Sequence, residues 1–369
     1  MNEPTHRVDP YRLLVLAPNW LGDSVMATGL LDWLTGSVSL PGGRALHICW
    51  AVRAAWAPLF AHDPRIDELM VVERPGRHDG LKGVWNLGRD LARGNHDGAI
   101  LGPPSLRVAM AARLAGIPVR VGYRTDGRGM LLSHGVESEA RGTAHFSDEM
   151  VALGKAWLAA VAGLAETPVT TAQVKLHLAG DHPTVQSRPV PRLVLAPGAT
   201  YGLAKTWPLN PALDFCRLCL EEGAELLLLG DAGSRSFAAD LASGLSVAAR
   251  HEVLGTPGLV DLTGRTGLLE VADLLQQCDG FAGNDSGLMH LAGALGIPTV
   301  GVFGSSNPAW TAPQGPRARA IAATGFPCQP CYRKTCNQPT FCLDSVTGHE
   351  VYHALSELRA RSQTEGNGS

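Results

Sequence analysis

The sequence predicts an α/β protein of two open domains, each a parallel sheet with helices on its faces. Three observations carry that prediction. Residues 13–18 (LLVLAP) and 193–197 (LVLAP) are short continuous aliphatic runs, each followed by a glycine-bearing turn, at 19–24 and 198–202. A strand buried on both faces of a parallel sheet reads this way. Strand-like runs then alternate with helix-period segments through both halves, the pattern of βαβ units. Between the halves, residues 180–192 carry Pro183, Pro189 and Pro191 and no apolar periodicity, which marks a linker.

A chain of 369 residues is long enough for two separate cores, and 45% apolar with 18% charged residues excludes a disordered protein. The net charge of −3 supplies no bulk basic field, so no nucleic-acid partner is expected. The opening MNEPTHRVDP lacks the apolar core of a signal peptide, and no apolar run reaches membrane-spanning length. The expectation is a cytoplasmic protein whose membrane contact is at most peripheral.

In the first half a helix over 25–34 follows the opening strand and turn. Strands are expected at 45–50, 68–72, 98–101 and 120–122, where β-branched and aliphatic residues cluster. Helices are expected at 54–60, 85–93, 106–115 and 147–161. In the second half Asn210-Pro211 reads as N-cap and first helical position, and Gly223 closes that helix. A strand at 225–229 runs into Gly230-Asp231-Ala232-Gly233, with a helix after it. A helix over 268–277 has Thr266 as its cap. Strands at 280–283 and 299–303 flank a helix with Leu288, Leu291, Ala292 and Leu295 on one stripe, stopped by Gly296-Ile297-Pro298. Residues 361–369 read as a frayed tail.

Open α/β sheets bind ligands at the carboxyl ends of their strands. The turns after Ala196, Leu229, Phe281 and Phe303 fall there. The most informative is 283–287, GNDSG, which places Asp285 or Ser286 at a helix N-cap with Gly287 and Leu288 in the first turn. Orphan amides and the helix dipole there attract an anion, and His290 adds a donor one turn further in. The diphosphate of a nucleotide sugar suits such an end. Lys205 leaves another strand end in a loop with two glycines, pinned by Trp207-Pro208, and reads as a phosphate contact or as a solvated lysine. Asp231 reads as a ribose-binding carboxylate or a turn former. Thr263, in a turn-then-helix unit over 263–266, reads as a donor-side residue or part of a capped helix.

Asp23 lies between the first strand and its helix, and reads as an N-cap or as a carboxylate that takes a proton. A helix N-terminus weakens a carboxylate as a base, so a basic role needs burial under bound substrate. Arg120, Arg124 and Arg128 suit an acidic or phosphorylated partner or a solvated loop, and Arg53 and Arg107 could join them. Four of the eight cysteines fall at Cys328-x2-Cys331-x4-Cys336-x5-Cys342. Thiolates so spaced close a structural zinc site, reach an iron–sulfur site, or stay as thiols, with His349 a further ligand candidate. Cys49, Cys216, Cys219 and Cys278 read as small buried hydrophobes, since a disulfide framework is foreign to a cytoplasmic chain.

Taken together, residues 14–23 (LVLAPNWLGD), 102–124 (GPPSLRVAMAARLAGIPVRVGYR), 197–208 (PGATYGLAKTWP) and 284–290 (NDSGLMH) resemble glycosyltransferase family 9. These are the heptosyltransferases of lipopolysaccharide core assembly, and the likeness is greatest to the type II members, over about residues 12–320. The resemblance implies a GT-B architecture of two Rossmann-like domains facing a cleft, residues 1–182 for the acceptor and 183–369 for the donor. It implies inverting, metal-independent transfer of L-glycero-D-manno-heptose from ADP-heptose to heptosylated Kdo-lipid A, at the cytoplasmic face of the inner membrane. Asp23 is then the general base, Lys205 a contact to donor phosphate, and Asp285, Ser286, Gly287, Leu288 and His290 the diphosphate holders. Asp231 stands where a ribose-binding acid is expected. No cofactor is required, which leaves zinc at the cysteine cluster as a purely structural expectation. The rivals are a heptosyltransferase with another core acceptor, a GT-B nucleotide-sugar epimerase, and a scaffold built on the cysteine cluster. A dinucleotide oxidoreductase is disfavoured because neither half has G-x-G-x-x-G after its first strand.

Overall fold

A computed structural model describes residues 9–163, 172–179, 189–198 and 200–366. The chain divides into two units, one of Met1–Ala140 and Phe146–Leu178, the other of Arg141–His145 and Ala179–Ser369. The expected linker lies mostly outside the described residues, at 180–188.

The first unit is a six-stranded parallel sheet: β1 (Tyr11–Leu16), β2 (Leu46–Arg53), β3 (Glu68–Val72), β4 (Gly98–Leu101), β5 (Val119–Tyr123) and β6 (His134–Val136), in the order β3-β2-β1-β4-β5-β6. Leu13, Leu14 and Val15 of the central β1 are wholly buried, which is why that run shows no polar alternation. Gly98 opens β4 because a Cβ there would lie 2.5 Å from the Tyr11 hydroxyl and 2.9 Å from Trp157 Nε1. The single helix expected over 25–34 is two, Leu21–Met26 and Thr28–Ser37, which meet at Ala27. The Thr28 hydroxyl turns back to the Val25 carbonyl at 2.7 Å across the junction. The helix expected over 54–60 is only the one-turn Ala57–Phe60, with Pro58, which has no backbone N–H, in its first turn.

The second unit is another six-stranded parallel sheet: β7 (Arg192–Ala196), β8 (Glu225–Leu228), β9 (Gly258–Asp261), β10 (Gly280–Asn284), β11 (Thr299–Phe303) and β12 (Ala318–Ala322), in the order β12-β11-β10-β7-β8-β9. Read from its other edge this is the order of the first sheet, strand for strand. In both units the chain reverses direction of winding beside the first strand, between β1 and β4 and between β7 and β10. Ligands of doubly wound sheets bind outside the strand ends at that switch point.

The helix Gly348–Gly366 closes the second unit, with Val351, Leu355 and Leu358 in the same core as Phe215 and Cys219 of the helix Leu209–Glu221. It continues to Gly366, through part of the segment expected to fray. Gly280 admits it, since a Cβ at that position would come within 3.0 Å of the Leu355 side chain. At the opposite end of the sheet from the site, Glu225 is buried and fully bonded. It pairs with Arg192 at 3.0 Å and accepts the amides of Leu254 and Gly255 at 2.8 and 2.9 Å.

Candidate active site

Beyond the carboxyl ends of β7 and β10, Asn284 organises the second unit's site. Its buried amide accepts the Trp207 N–H at 3.1 Å and donates to the Pro197 carbonyl. The two strongest motifs, 197–208 and 284–290, are thereby stitched by one side chain. Trp207 is buried and donates its indole N–H to the Val346 carbonyl at 2.9 Å, so the loop between is held at its base.

That loop delivers Lys205 to Asp285. Lys205 Nζ lies 2.5 Å from Asp285 Oδ2, with both side chains largely buried. His290 Nε2 lies 3.6 Å from the other carboxylate oxygen, and the Thr311 hydroxyl 3.5 Å from the first. Burial works to raise the Asp285 carboxyl, but His290 and Lys205 outweigh it and hold the group well below the usual carboxylate range. An acid so placed positions the Lys205 ammonium group and the His290 ring. Lys205 Nζ also stands 5.1 Å from the Tyr201 ring centroid.

Ser286 is the N-cap of the helix Gly287–Ala294, with extended backbone at φ −148° and ψ 166°. Its hydroxyl makes no capping bond and has no hydrogen-bond partner among the described residues, as is also true of His290 Nδ1. Gly287 and Leu288 form the first turn, whose amides have no partner within the helix. Asp231 is exposed beyond β8, where its carboxylate accepts the Thr200 and Ser234 hydroxyls at 3.3 Å each. Thr263 is fully buried, and both its amide and its hydroxyl are donated to Asp261, at 2.9 and 2.6 Å. Its hydroxyl is therefore committed within the fold.

In the first unit Asp23 is the third residue of the helix Leu21–Met26, half-buried, and Trp20 takes the N-cap position assigned to it from sequence. The turn before it is pinned. Ser24 donates to the Pro18 carbonyl at 2.8 Å, and Trp56 and Arg53 donate to the Asn19 carbonyl at 3.1 and 3.3 Å. Asn19, Arg53, Arg74, His78 and Arg107 line one cavity at this end of the sheet.

A family model for glycosyltransferase family 9 (heptosyltransferase) matches residues 84–341. The chain belongs to glycosyltransferase family 9. Lipopolysaccharide heptosyltransferase 2 of Escherichia coli K12 is 28% identical over 325 residues, covering 85% of this chain and 89% of that protein. The structure of the E. coli ADP-heptose lipopolysaccharide heptosyltransferase II superposes with a TM-score of 0.73 at 25% identity, covering 95% of this chain and 99% of that one. A family 9 glycosyltransferase of Veillonella parvula superposes at 0.74 with 18% identity, over 96% of this chain and 99% of that one, and shares the fold. The α/β fold of this family 9 glycosyltransferase is thus the GT-B class expected from its motifs. No helix among its described residues is long and apolar enough to cross a membrane.

The family 9 enzyme departs from expectation at two clusters. Of Arg120, Arg124 and Arg128, the arginines expected to meet the acceptor, two turn their guanidinium groups to backbone carbonyls. Arg128 is fully buried and donates to the Tyr123, Pro103 and Leu101 carbonyls, and burial brings its pKa down to about 10. Arg120 donates to the Leu131, Ile117 and Pro118 carbonyls. Arg124 alone is well exposed, in a surface pair with Glu137 at 3.2 Å. Arg53, Arg74 and Arg107 line a cavity of the first unit, where Arg53 donates to the Arg74 and Asn19 carbonyls, Arg107 to the His78 and Gly80 carbonyls, and Arg74 pairs with Asp79 at 2.9 Å. Cys328, Cys331, Cys336 and Cys342 do line a common cavity with Ala204 and Ser305. Yet no group of three or more His, Cys, Asp or Glu among the described residues is placed to hold a metal ion, so the expected zinc is not supported. Burial first, and then the neighbouring Cys336, Cys328 and Cys331, push the Cys342 thiol up. Cys49, Cys216, Cys219 and Cys278 are all buried as expected.

Sequence reasoning missed Asn284 as the stitch, and Ser305 and Ser306, which follow β11, are buried and leave their hydroxyls unpartnered. The signal was present: a polar pair directly after a strand neighbouring β10, at the sheet end where ligands bind.

Proposed function

We propose that this glycosyltransferase moves L-glycero-D-manno-heptose from ADP-heptose to the heptosylated Kdo-lipid A inner core of lipopolysaccharide, with inversion and without a metal cofactor. The observation that carries the reading is the buried Lys205–Asp285–His290 cluster at the N-terminus of the helix Gly287–Ala294. The names of its relatives supply the sugar and the acceptor class.

On this reading Asp23 takes the proton of the acceptor hydroxyl as its oxygen attacks the anomeric carbon from the face opposite ADP. The bond from that carbon to the β-phosphate oxygen breaks, and its electron pair leaves with ADP. Lys205, the Gly287 and Leu288 amides, Ser286 and His290 meet the charge that develops on the diphosphate. The helix end contributes roughly 0.3–2 kcal/mol. Each preorganised donor aimed at developing charge contributes about 2.7–4 kcal/mol, so a lysine with several amides matches what an ion would supply. Asp231 is assigned to the ribose hydroxyls, and the Arg53–Arg107 cavity to an acid group of the acceptor. The enzyme would work at the cytoplasmic face of the inner membrane, with peripheral contact only.

The test is a transfer assay with ADP-heptose against Kdo₂-lipid A, against its mono-heptosylated form, and with no acceptor, each with and without a chelator. Transfer to the mono-heptosylated acceptor, undiminished by chelation, is expected. Isomerisation of the sugar nucleotide without acceptor would make the protein an epimerase, and activity restored only by Mg²⁺ would remove Lys205 from its assigned role.

A further inference from the structure

Residues Arg141–His145 lie in sequence between β6 and the helix Phe146–Ala162 of the first unit, yet they belong to the second. This strap is fastened at two points. Gly142 has φ +89°, and a Cβ there would collide with the side-chain amide of Asn307, the N-cap of the short helix Pro308–Thr311. Glycine alone lets the strap lie on that cap. At its other end His145 Nε2 donates to the Ala312 carbonyl at 3.0 Å, just past the same helix.

Immediately before Gly142, Arg141 sits in an aromatic corner. Its guanidinium carbon is 4.9 Å from the Trp310 ring centroid and 5.5 Å from that of Tyr332, and the two rings meet edge to face at 87°. The corner adjoins the Lys205 site on both sides. Trp310 precedes Thr311, whose hydroxyl reaches Asp285. The Tyr332 carbonyl accepts the Tyr201 hydroxyl at 2.6 Å, and Tyr201 carries Lys205 on its ring face. The Tyr332 hydroxyl also feels both charges: burial raises it, Arg141 lowers it and Asp285 raises it.

Arg141 is exposed, and no carboxylate among the described residues pairs with it. A guanidinium stacked on a ring keeps its N–H edge free in the plane, the geometry that takes a phosphate with two parallel hydrogen bonds. A solvated arginine has no need of a two-point strap or an aromatic corner. We infer that Arg141 is a second cation of the transfer site, binding a phosphate of the nucleotide sugar beside Lys205. The inference rests on the donor reading above.

Calorimetric titration of the full-length protein with inorganic pyrophosphate and with ADP tests it, for the wild type, Arg141→Met and Arg141→Lys. Arg141→Met retains an apolar side chain for the corner, and thermal melts of each variant check that the fold persists. The expected result is roughly tenfold weaker binding of both ligands by Arg141→Met, the scale of one charge-assisted hydrogen bond. Arg141→Lys should recover only part, and the salt dependence of binding should shrink in Arg141→Met. Equal pyrophosphate affinity in the wild type and Arg141→Met overturns the inference, and equal affinity with a raised acceptor KM reassigns the oxyanion to the acceptor and overturns it too. Pyrophosphate bound in an Arg141-dependent way, with ADP ignored, would instead defeat the nucleotide-sugar reading. A wild type that binds neither ligand overturns both.

Discussion

Asp285 is the residue on which the proposed donor site turns, because it fixes two donors while remaining charged in the protein interior. Its native pKa lies below the unfolded value of about 3.9. The stability it contributes is therefore present above about pH 4 and is lost as the pH falls through the native value. Denaturant unfolding of the wild type and Asp285→Asn should show a gap that is constant near neutrality and narrows below about pH 4. A gap that stays constant down to pH 2 would mean that the carboxylate is not held by Lys205 and His290. Much of this residue-level site was legible. Helix N-cap chemistry and the strand-end rule sufficed to place Ser286 at the cap, Gly287 in the first turn and Lys205 at a strand end, since both act locally. Arg128 was misread because nothing in a glycine-bearing stretch says that a guanidinium will fold inward onto three carbonyls. The bonds of Thr263 to Asp261 were hidden for the same reason: the two lie two residues apart, and only the backbone shape decides that they bond.

At the scale of elements, the Lys205 loop is shaped by the cysteine-rich loop. The Ala204 amide donates to the Lys334 carbonyl at 2.9 Å, in the middle of the cysteine-rich segment. Gly202, at φ +152°, would place a Cβ 2.5 Å from that carbonyl oxygen and 2.9 Å from the Lys334 Cα. Gly202→Ala must therefore move one loop off the other. The expected outcome is a loss of about 1 kcal/mol or more in stability and a fall in kcat of up to about a hundredfold, as Lys205 shifts from its aim. Melting curves and steady-state rates check it, and unchanged kinetics would show that the cysteine-rich loop has no bearing on Lys205. The elements themselves were legible where burial on both sheet faces wrote a continuous aliphatic run, as in β1, β7 and β11. The strands β6, β9 and β12 escaped, being short and at or near sheet edges; β12 is half-buried throughout and reads Ala-Arg-Ala-Ile-Ala.

At the scale of the molecule, the two units repeat one strand order, and in each the proposed site residues follow a strand at the switch point: Asp23 after β1, the Lys205 loop after β7, Asp285 after β10. Parallel sheets and the family were readable, because paired aliphatic openings and four separated motifs survive without tertiary knowledge. The strap Arg141–His145 was not. Its membership of the second unit depends on Gly142, Asn307 and Ala312 meeting across the fold, and no local pattern encodes that. The central claim is that side-chain cations and helix amides, with no bound ion, carry the charge of the departing diphosphate. The most direct measurement is the single-turnover rate of heptose transfer by Lys205→Ala, at saturating ADP-heptose and acceptor. A fall of about 10²–10³-fold against the wild type, unrelieved by added Mg²⁺, is the predicted result. A rate equal to that of the wild type, or one restored by Mg²⁺, would contradict it.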